Sequence, residues 1–463
     1  MPIRYVVIGA GFRGLLLSYL LSRVGHSVTL LESSQRVGGV LNGFAWNNYH
    51  CDLGCHLFDN THDHISDLTI QMCGGYDALM DVDLSYGSMT NGFYTEDVAV
   101  VDFSPLYRDF GEVWVEELQH SSSVANFEKA CGLTLADALL DRFGADLASR
   151  LIPIAKKIYG TDPQHLDYSV ISQGIFSRVR LADNQIAKIL KKIPILDEKI
   201  AIPQSLRKEV LPKTHPNLLS KNFYPRTNGM RGFLENVLNE ITNSGGSIHT
   251  GQNITDIQDG NTEMTVKTIQ GSKFIADYVV STVAPEKFHN LLGPEIKLPE
   301  PYCVPMVLFF GEYNKNDLNK ATYLHNFNPN QKVFRYSNQG LYSDQVNKDG
   351  RTFICVECPC SEPEFLRASD EAISETILSE LQELNWVDKH VSHSATKVLK
   401  IPKAIPIPSY GTAAKRKKIS RALARKFPNF LHFFSDAYSK AEIIKEGLEF
   451  TKSLNAFCGR HSG

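Results

Sequence analysis

The chain has 463 residues, of which 43% are hydrophobic and 21% charged, and its formal net charge is −3. This length exceeds one compact core, so we expect two or three domains with the composition of an ordinary globular protein. The near-neutral balance excludes a nucleic-acid footprint, and no apolar run reaches the ~20 residues that a membrane span requires. The nine cysteines lack metal-ligand spacing, so we expect reduced thiols and no metal site.

The first strand and helix are predicted around three closely spaced glycines. Tyr5–Ile8 is an apolar run typical of a strand buried on both faces, and Gly9, Gly11 and Gly14 follow it. Gly9 suits a tight turn, Gly11 allows close approach to a pyrophosphate, and Gly14 lets the next helix pack on the sheet. That helix should span about residues 11–24 and present free N–H groups to an anion. Its apolar stretch is then not a leader peptide, and we expect a cytoplasmic protein.

An acidic residue ends the second predicted strand. Ser27–Leu31 has the strand pattern, and Glu32 follows it directly. A carboxylate at this point can accept hydrogen bonds from a ribose 2′-OH and would repel a 2′-phosphate. The strand, glycines, helix and acid occur in order, so they predict a dinucleotide site that selects free ribose hydroxyls.

Two further segments indicate which dinucleotide binds. Arg36, Gly38 and Gly39 resemble the R-x-G-G extension of FAD-binding enzymes of the amine oxidase superfamily, which includes protoporphyrinogen oxidase, phytoene desaturase and UDP-galactopyranose mutase. The segment 52–58 resembles the D-x-G-x-H-x-F stretch that runs past the isoalloxazine ring in that superfamily. The resemblance implies FAD as the cofactor.

The same resemblance implies the roles of individual residues. Gly54 and His56 should lie beside the flavin ring, with His56 as the catalytic candidate because histidine titrates near neutral pH. The strand 253–257 should lend backbone groups to the adenine, and Asp436 follows the last strand where the superfamily has a G-D or G-R turn. We expect cofactor contacts from Gly9, Gly11, Phe12, Arg13, Gly14, Glu32, Ser33, Arg36, Gly38, Gly39, Gly54, His56, Ile254 and Asp436.

The resemblance also implies the fold class and the domain organisation. We expect an α/β protein with a discontinuous Rossmann-type FAD-binding domain and an inserted α+β substrate domain. The FAD-binding domain is predicted at 1–80, 221–300 and 401–463, the last including a C-terminal tail. A mostly helical cap is predicted at 81–220, and an antiparallel-sheet substrate domain at 301–400.

The remaining elements are predicted from hydrophobic periodicity and from breaker residues. Helices are expected at 62–78, 109–121, 123–130, 134–143, 147–159, 167–177, 185–192, 233–243, 370–384, 415–425 and 440–454. Strands are expected within 80–103 and at 247–251 with its continuation 253–257, 264–269, 273–278, 277–285, 304–311, 332–337, 352–358, 395–401 and 429–434.

Three functions remain open at the level of sequence. The first is a flavin oxidoreductase that moves a hydride between flavin N5 and a small organic substrate. The second is an isomerase similar to UDP-galactopyranose mutase, for which arginines would bind a nucleotide diphosphate. The candidates for that role are Arg178, Arg180, Arg335 and Arg351. The third is a flavin-binding protein without turnover, and the sequence leaves the oligomeric state open.

Overall fold

A computed structural model describes residues 2–60, 63–121, 132–172, 175–206, 222–260, 263–292, 302–360, 363–391, 395–435 and 439–461. The chain has a mixed α/β fold and divides into two compact units. The first unit comprises Met1–Asp83, Val210–Leu298 and Ala414–Gly463, and the second comprises Leu84–Glu209 and Pro299–Ala413. Each unit is therefore assembled from separate stretches of the sequence.

The helices and strands follow one another along the chain in five stretches. Residues 1–83 form β1 (Arg4–Ile8), α1 (Phe12–Arg23), β2 (Ser27–Leu31), β3 (Phe44–Trp46), β4 (Tyr49–Cys51), β5 (Phe58–Asp59), α2 (Asp63–Met72) and β6 (Leu79–Val82). Residues 84–209 form β7 (Tyr86–Thr90), β8 (Phe93–Glu96), α3 (Tyr107–His120), α4 (Leu135–Phe143), α5 (Ala145–Tyr159), α6 (Asn184–Leu190) and α7 (Pro194–Asp197). Residues 210–298 form β9 (Asn222–Pro225), α8 (Gly229–Asn243), β10 (Ser247–His249), β11 (Ile254–Gly260), β12 (Glu263–Thr268), β13 (Lys273–Ala276) and β14 (Tyr278–Ser281). Residues 299–413 form β15 (Tyr302–Asn314), β16 (Tyr323–Asn326), β17 (Arg335–Ser337), α9 (Gln339–Tyr342), β18 (Arg351–Pro359), α10 (Pro363–Arg367), α11 (Asp370–Glu383) and β19 (Ala395–Ile407). The last stretch forms α12 (Thr412–Lys426), β20 (Phe430–His432) and α13 (Lys440–His461).

A five-stranded parallel sheet forms the centre of the first unit. Its strand order is β10-β2-β1-β14-β20, so β1 lies in the middle with β2 and β14 beside it. Helix α1 packs against α8 and α13. A separate core cluster joins the sheet, through Val6 and Ile8, to Ile419 of α12 and to Val266 of the antiparallel sheet β11-β12-β13. The buried run that predicted β1 is therefore explained by packing in the middle of a parallel sheet.

A seven-stranded sheet organises the second unit, in the order β19-β15-β18-β17-β16-β7-β8. One core cluster packs this sheet against α11 through residues such as Ile373 and Ile377. A second cluster gathers α3, α4 and α5 around Trp114 and Leu151. Of the helices that the structure describes in either unit, none combines the length and apolar character needed to cross a membrane.

Two predicted helices are shorter in the structure, for local reasons. The helix predicted at 167–177 is a 3₁₀ turn over Tyr168–Ser172. The carboxylate of Asp167 accepts hydrogen bonds from the backbone N–H and the hydroxyl of Ser169, and such local bonds compete with an α-helix. The helix predicted at 62–78 ends at Met72, because Gly74 and Gly75 both have positive φ angles. The helix predicted at 123–130 lies outside the described residues.

Two predicted strands have different partners from those expected. The strand 253–257 does not continue β10 but begins β11, which pairs antiparallel with β12. The turn at Gly251, with φ +69°, separates the two strands. Strand β19 continues past the predicted boundary at 400 to Ile407, because an irregularity between Val304 and Met306 of β15 accommodates Pro402 before pairing resumes. Residues 401–413 consequently belong to the second unit.

Candidate dinucleotide-binding site

The turn after β1 is shaped by three glycines. The N–H of Gly9 donates to the carbonyl of Leu31 at 2.8 Å, and Gly9 has φ +95°. A Cβ at Gly14 would lie 1.7 Å from the Gly9 carbonyl oxygen, so α1 passes directly against the turn. A Cβ at Gly11 would instead meet no described heavy atom within 4 Å. Gly11 is also the N-cap of α1, and no side chain caps this helix end. The helix therefore directs its first N–H groups toward open space, where an anion is favoured.

A second glycine loop lies against the first. The N–H of Gly38 donates to the carbonyl of Ala10 at 2.7 Å, and a Cβ at Gly39 would lie 3.6 Å from the Cα of Gly11. Gly38 and Gly39 have φ angles of +99° and +55°, a region that favours glycine. The guanidinium of Arg36 donates to the side chain of Asn42 and to the carbonyl of residue 43, so it braces this loop.

The carboxylate of Glu32 is held by backbone donors at the end of β2. One oxygen accepts from the N–H of Ala10 at 2.8 Å, and the other accepts from the N–H of Ser34 at 2.9 Å. The exposed Ser33 hydroxyl lies 3.4 Å from the same carboxylate. Ile254 lies at the start of β11 and packs against the core cluster of the first unit. The acid is thus fixed between the glycine turn and the carboxyl end of β2.

The first turn of α1 is tied to the C-terminal stretch of the same unit. Arg13 forms an ion pair with Glu446 at 3.1 Å and donates to the carbonyl of Ser435 at 3.2 Å. The ring of Phe12, the residue before it, lies 6.1 Å from that of Phe233. Arg13 therefore binds α13 in this structure, and Asp436 lies outside the described residues.

The segment predicted to pass the flavin ring is anchored by a buried carboxylate. Asp52 is 2% exposed, and its carboxylate accepts from the hydroxyl of Tyr224 at 2.7 Å and from the backbone N–H of Met230. Burial raises the pKa of Asp52 to about 7 and raises that of Tyr224 well above its usual range. Gly54 follows with φ +99°, and Nε2 of His56 lies 3.2 Å from the Leu53 carbonyl.

Sequence reasoning missed the Asp52–Tyr224 pair. Asp52 lies inside the segment that resembles D-x-G-x-H-x-F, but Tyr224 is 172 residues further along the chain. The ammonium of Lys440 also reaches this segment, where it donates to the carbonyl of Leu57 at 3.0 Å. The pair therefore fastens the segment to β9, and Lys440 fastens it to the start of α13.

The structure does not bring the four candidate arginines together. All four lie in the second unit, and each contacts a group of this chain. Arg178 donates to the carbonyl of Glu198, and Arg180 lies near the carboxylate of Asp102. Arg335 pairs with the carboxylate of Glu357, and Arg351 pairs with that of Glu312. Arg335 is paired in register with Glu357, and Arg351 precedes Glu357 on β18 by six positions, which is roughly 20 Å along a strand. Among the described residues there is also no cluster that could hold a metal ion.

These residues fit one end of a dinucleotide. The uncapped start of α1 and the open space at Gly11 suit a pyrophosphate, and the fixed carboxylate of Glu32 suits ribose hydroxyls. Fold and turn together define a mixed α/β protein with a nucleotide-binding type of glycine turn. More particularly, the chain belongs to the flavin-containing amine oxidoreductase family, whose model matches residues 14–307. This membership, together with the fit of the turn, identifies FAD as the cofactor.

Individual relatives are distant. A 53-residue stretch is 43% identical to L-amino-acid oxidase from Crotalus adamanteus, but it spans only 11% of this chain and 10% of that protein. A proposed protoporphyrinogen oxidase from Exiguobacterium sp. 255-15 has a similar fold, with TM-score 0.65, 14% identity, and coverage of 98% of this chain and 99% of that chain. Reduced UDP-galactopyranose mutase also has TM-score 0.65, with 13% identity and coverage of 93% and 88%. The family membership supports an FAD-dependent oxidoreductase, and the two solved structures show a shared fold.

Substitution of two glycines in the same turn should separate binding from folding. Gly11→Val places its side chain in the open space, so the variant should lose FAD while its flavin-free form unfolds within about 1 kcal/mol of wild type. Gly14→Ala should lower the free energy of unfolding by about 1–3 kcal/mol, because its Cβ would overlap the Gly9 carbonyl. Flavin absorbance of the purified proteins and urea unfolding measure both effects. Full FAD retention by Gly11→Val would mean that the pyrophosphate lies elsewhere.

Burial of Asp52 should make stability depend on pH. Its folded-state pKa of about 7 lies above the unfolded value of about 3.9, so the folded state binds more protons between these values. This group therefore makes the free energy of unfolding fall as pH rises through that window, by up to about 1.4 kcal/mol per pH unit. Asp52→Asn should remove this contribution in urea titrations from pH 4 to 7. The exposed Asp77→Asn controls for loss of one carboxylate, and an unchanged slope in Asp52→Asn would contradict the assignment.

Proposed function

We propose that the protein is an FAD-dependent oxidoreductase that takes a hydride from a small organic substrate. The observation that carries this proposal is the glycine cradle at Gly9–Gly14 in a chain of the flavin-containing amine oxidoreductase family. In this proposal the first unit is the discontinuous Rossmann-type FAD-binding domain, and the second unit is the inserted substrate domain. The resemblance of both segments near residues 36–39 and 52–58 to the superfamily supports that division of roles.

The residues of the first unit would hold the cofactor by its adenosine and pyrophosphate. The N–H groups that begin α1 would donate to the pyrophosphate, and Gly38 and Gly39 would let the second loop approach it. Glu32 would accept from the ribose hydroxyls, beside Ser33, and the backbone at Ile254 would meet the adenine. When bound, the flavin would supply the capacity to accept a hydride, which carries two electrons, from a substrate carbon.

His56 is the candidate for moving a proton. The Leu53 carbonyl can only accept, so the hydrogen bond at 3.2 Å places the imidazole proton on Nε2. In this proposal the imidazole would exchange a proton with the substrate. The positive φ of Gly54 turns the backbone just before His56, and the Asp52–Tyr224 hydrogen bond holds the start of this turn. These contacts support a fixed orientation of the histidine.

An isomerase similar to UDP-galactopyranose mutase is the alternative, since that enzyme shares the fold. It needs cations for a diphosphate, but Arg335 makes a bidentate ion pair with Glu357, with both distances 2.7 Å, and Arg180 lies 3.6 Å from Asp102. A diphosphate would have to displace these carboxylates. The engaged arginines therefore favour the oxidoreductase.

A redox experiment distinguishes the two reactions. Under anaerobic conditions, the oxidised protein is mixed with L-amino acids, primary amines and sugar nucleotides in turn, and the visible flavin absorbance is followed. If the protein is an oxidoreductase, its substrate should bleach the flavin absorbance with one substrate molecule oxidised per flavin. The reaction should then stop, because no electron acceptor is present. Repeated conversion of a sugar nucleotide by dithionite-reduced protein alone would overturn the oxidoreductase in favour of the isomerase. A flavin that no compound bleaches and that supports no conversion would favour a protein without turnover.

Substitution of His56 tests its role in proton transfer. His56→Ala should retain FAD, because the predicted binding contacts lie at the adenosine and pyrophosphate, while turnover should fall by roughly 10²–10⁴ if the side chain acts as acid or base. His50→Ala, on the neighbouring strand β4, is the matched control and should keep turnover close to wild type. Steady-state rates and flavin content are measured together. Wild-type turnover in His56→Ala would remove the residue from the mechanism, and loss of flavin would give it a structural role.

A further inference from the structure

A row of paired residues crosses all seven strands of the sheet in the second unit. From the β8 edge, the row contains Thr95, Ser88, His325, Arg335, Glu357, Leu308 and Leu399. Side chains of residues directly opposite on neighbouring strands point to the same face of a sheet, so these seven share one face. The five residues on β8, β7, β16, β17 and β18 are all polar, and we refer to them as the polar row.

The opposite face of the same strands has a different character. The adjacent residues Leu324, Tyr336, Val356, Phe309 and Val398 lie on it and belong to the core cluster that packs against α11. This alternation shows that packing against α11 already supplies the sheet with an apolar core face. The polar row is therefore not required for that core.

Two neighbours at the centre of the polar row contain polar atoms that lack hydrogen-bond partners in the described part of the chain. These atoms are Oγ of Ser88 and Nδ1 of His325, and both are shielded from solvent. Ser88 is 0% exposed and His325 is 6% exposed. They lie opposite each other on β7 and β16, and neighbouring strands of a sheet are about 4.8 Å apart. Buried polar groups are almost always hydrogen-bonded, so these two adjacent atoms offer hydrogen-bonding positions that no described residue fills and that a ligand could fill.

The charges around this pair favour a neutral partner. Arg335 and Glu357 neutralise each other through two hydrogen bonds of 2.7 Å. Burial and the nearby Arg335 lower the pKa of His325 to about 3, so its imidazole is neutral at pH 7. On β8, next to Ser88, the hydroxyl of Thr95 already donates to the carboxylate of Asp102 at 2.6 Å. A charged ligand group would gain no unpaired opposite charge here, whereas a hydroxyl or amide could both donate and accept.

Aromatic rings adjoin the pair on the same face. Tyr86 and Tyr323 are paired two residues before Ser88 and His325, and their rings stack at 5.3 Å with an interplanar angle of 12°. The ring of Tyr323 meets that of His325 edge-on at 5.4 Å. These rings offer an apolar wall beside two hydrogen-bonding atoms, which is the composition of a small-molecule site.

We propose that Ser88 and His325 form a substrate subsite that hydrogen-bonds a neutral hydroxyl or amide group next to an aromatic or apolar moiety. This subsite deepens the proposed function and depends on it for its biological role. It adds binding residues that act on substrate recognition rather than on the cofactor. It also predicts that the substrate carries a neutral polar group in addition to the carbon that is oxidised.

The melting temperature tests whether the Ser88 hydroxyl has a structural role. Ser88→Ala removes a hydroxyl without a described partner and should leave the melting temperature of the protein unchanged or raised. The matched control is Ser337→Ala, a buried serine on the same sheet face whose hydroxyl donates to the Cys355 carbonyl. That control should lower the melting temperature by about 2 °C or more. Equal losses in both variants would show that the Ser88 hydroxyl serves folding and would overturn the subsite.

Binding of simple probes tests the chemistry of the subsite. Benzamide, benzyl alcohol, benzoate and benzylamine share one ring and differ in the polar group, and calorimetric titration of the FAD-loaded protein measures each. The two neutral probes should bind more tightly than the two charged ones, and Ser88→Ala and His325→Leu should each weaken them by roughly fivefold to tenfold. Ser337→Ala should bind them as wild type does. Preference for a charged probe, no binding of either neutral probe, or undiminished affinity in Ser88→Ala would overturn the proposal.

These measurements do not require turnover. If the protein oxidises no substrate yet binds the neutral probes through Ser88, the proposed oxidoreductase fails while the subsite stands. If it bleaches its flavin with a substrate but Ser88→Ala changes neither probe affinity nor substrate KM, the subsite fails while the oxidoreductase stands.

Discussion

The near-contact of α1 with the turn before it is the constraint on which the cofactor site depends. The backbone at Gly14 passes so close to the Gly9 carbonyl that a single added carbon atom would overlap it. Thr282, after the neighbouring strand β14, donates its hydroxyl to the carbonyls of Ile8 and Gly9. The turn is therefore fixed from two sides, and the start of α1 can point only toward the space at Gly11. An anion site at that position follows from packing rather than from any charged side chain.

The first unit is held together by contacts between parts of the chain that are far apart in sequence. Asp52 joins the segment 52–58 to Tyr224 through a hydrogen bond. Arg13 joins α1 to Ser435 and Glu446 near the C-terminus. Each of the three stretches of the unit thus supplies a partner. Arg13, which is expected beside the cofactor, makes a partly buried ion pair with Glu446 of α13.

Local signals explain which features could be predicted from sequence. Strand β2 at Ser27–Leu31 is predicted with its observed bounds, and helix α11 begins at the predicted residue 370. The prediction of a helix at 167–177 is wrong, because the side chain of a single aspartate forms a turn that competes with the helix. The family, the fold class in its coarse form and FAD followed from short motifs, because backbone conformation at a few glycines decides them.

Long-range pairing could not be predicted, and it decides most of the site. Nothing local shows that Asp52 meets Tyr224, or that Arg335 makes an ion pair with Glu357. The polar row depends on the register of four strand pairs, and a shift of one residue would move Ser88 and His325 to opposite faces of the sheet. The contact partners of charged residues, rather than their presence in the sequence, separate the candidate functions.

Titration of flavin-stripped protein with FAD and with FMN tests the central claim most directly. Binding at the glycine turn uses the pyrophosphate and the adenosine. FMN has a single phosphate and no adenosine. FAD should therefore bind with one site per chain and raise the melting temperature as its concentration increases, while FMN at equal concentration should leave it nearly unchanged. Equal stabilisation by FMN, or none by FAD, would contradict the assignment of this turn as the cofactor site.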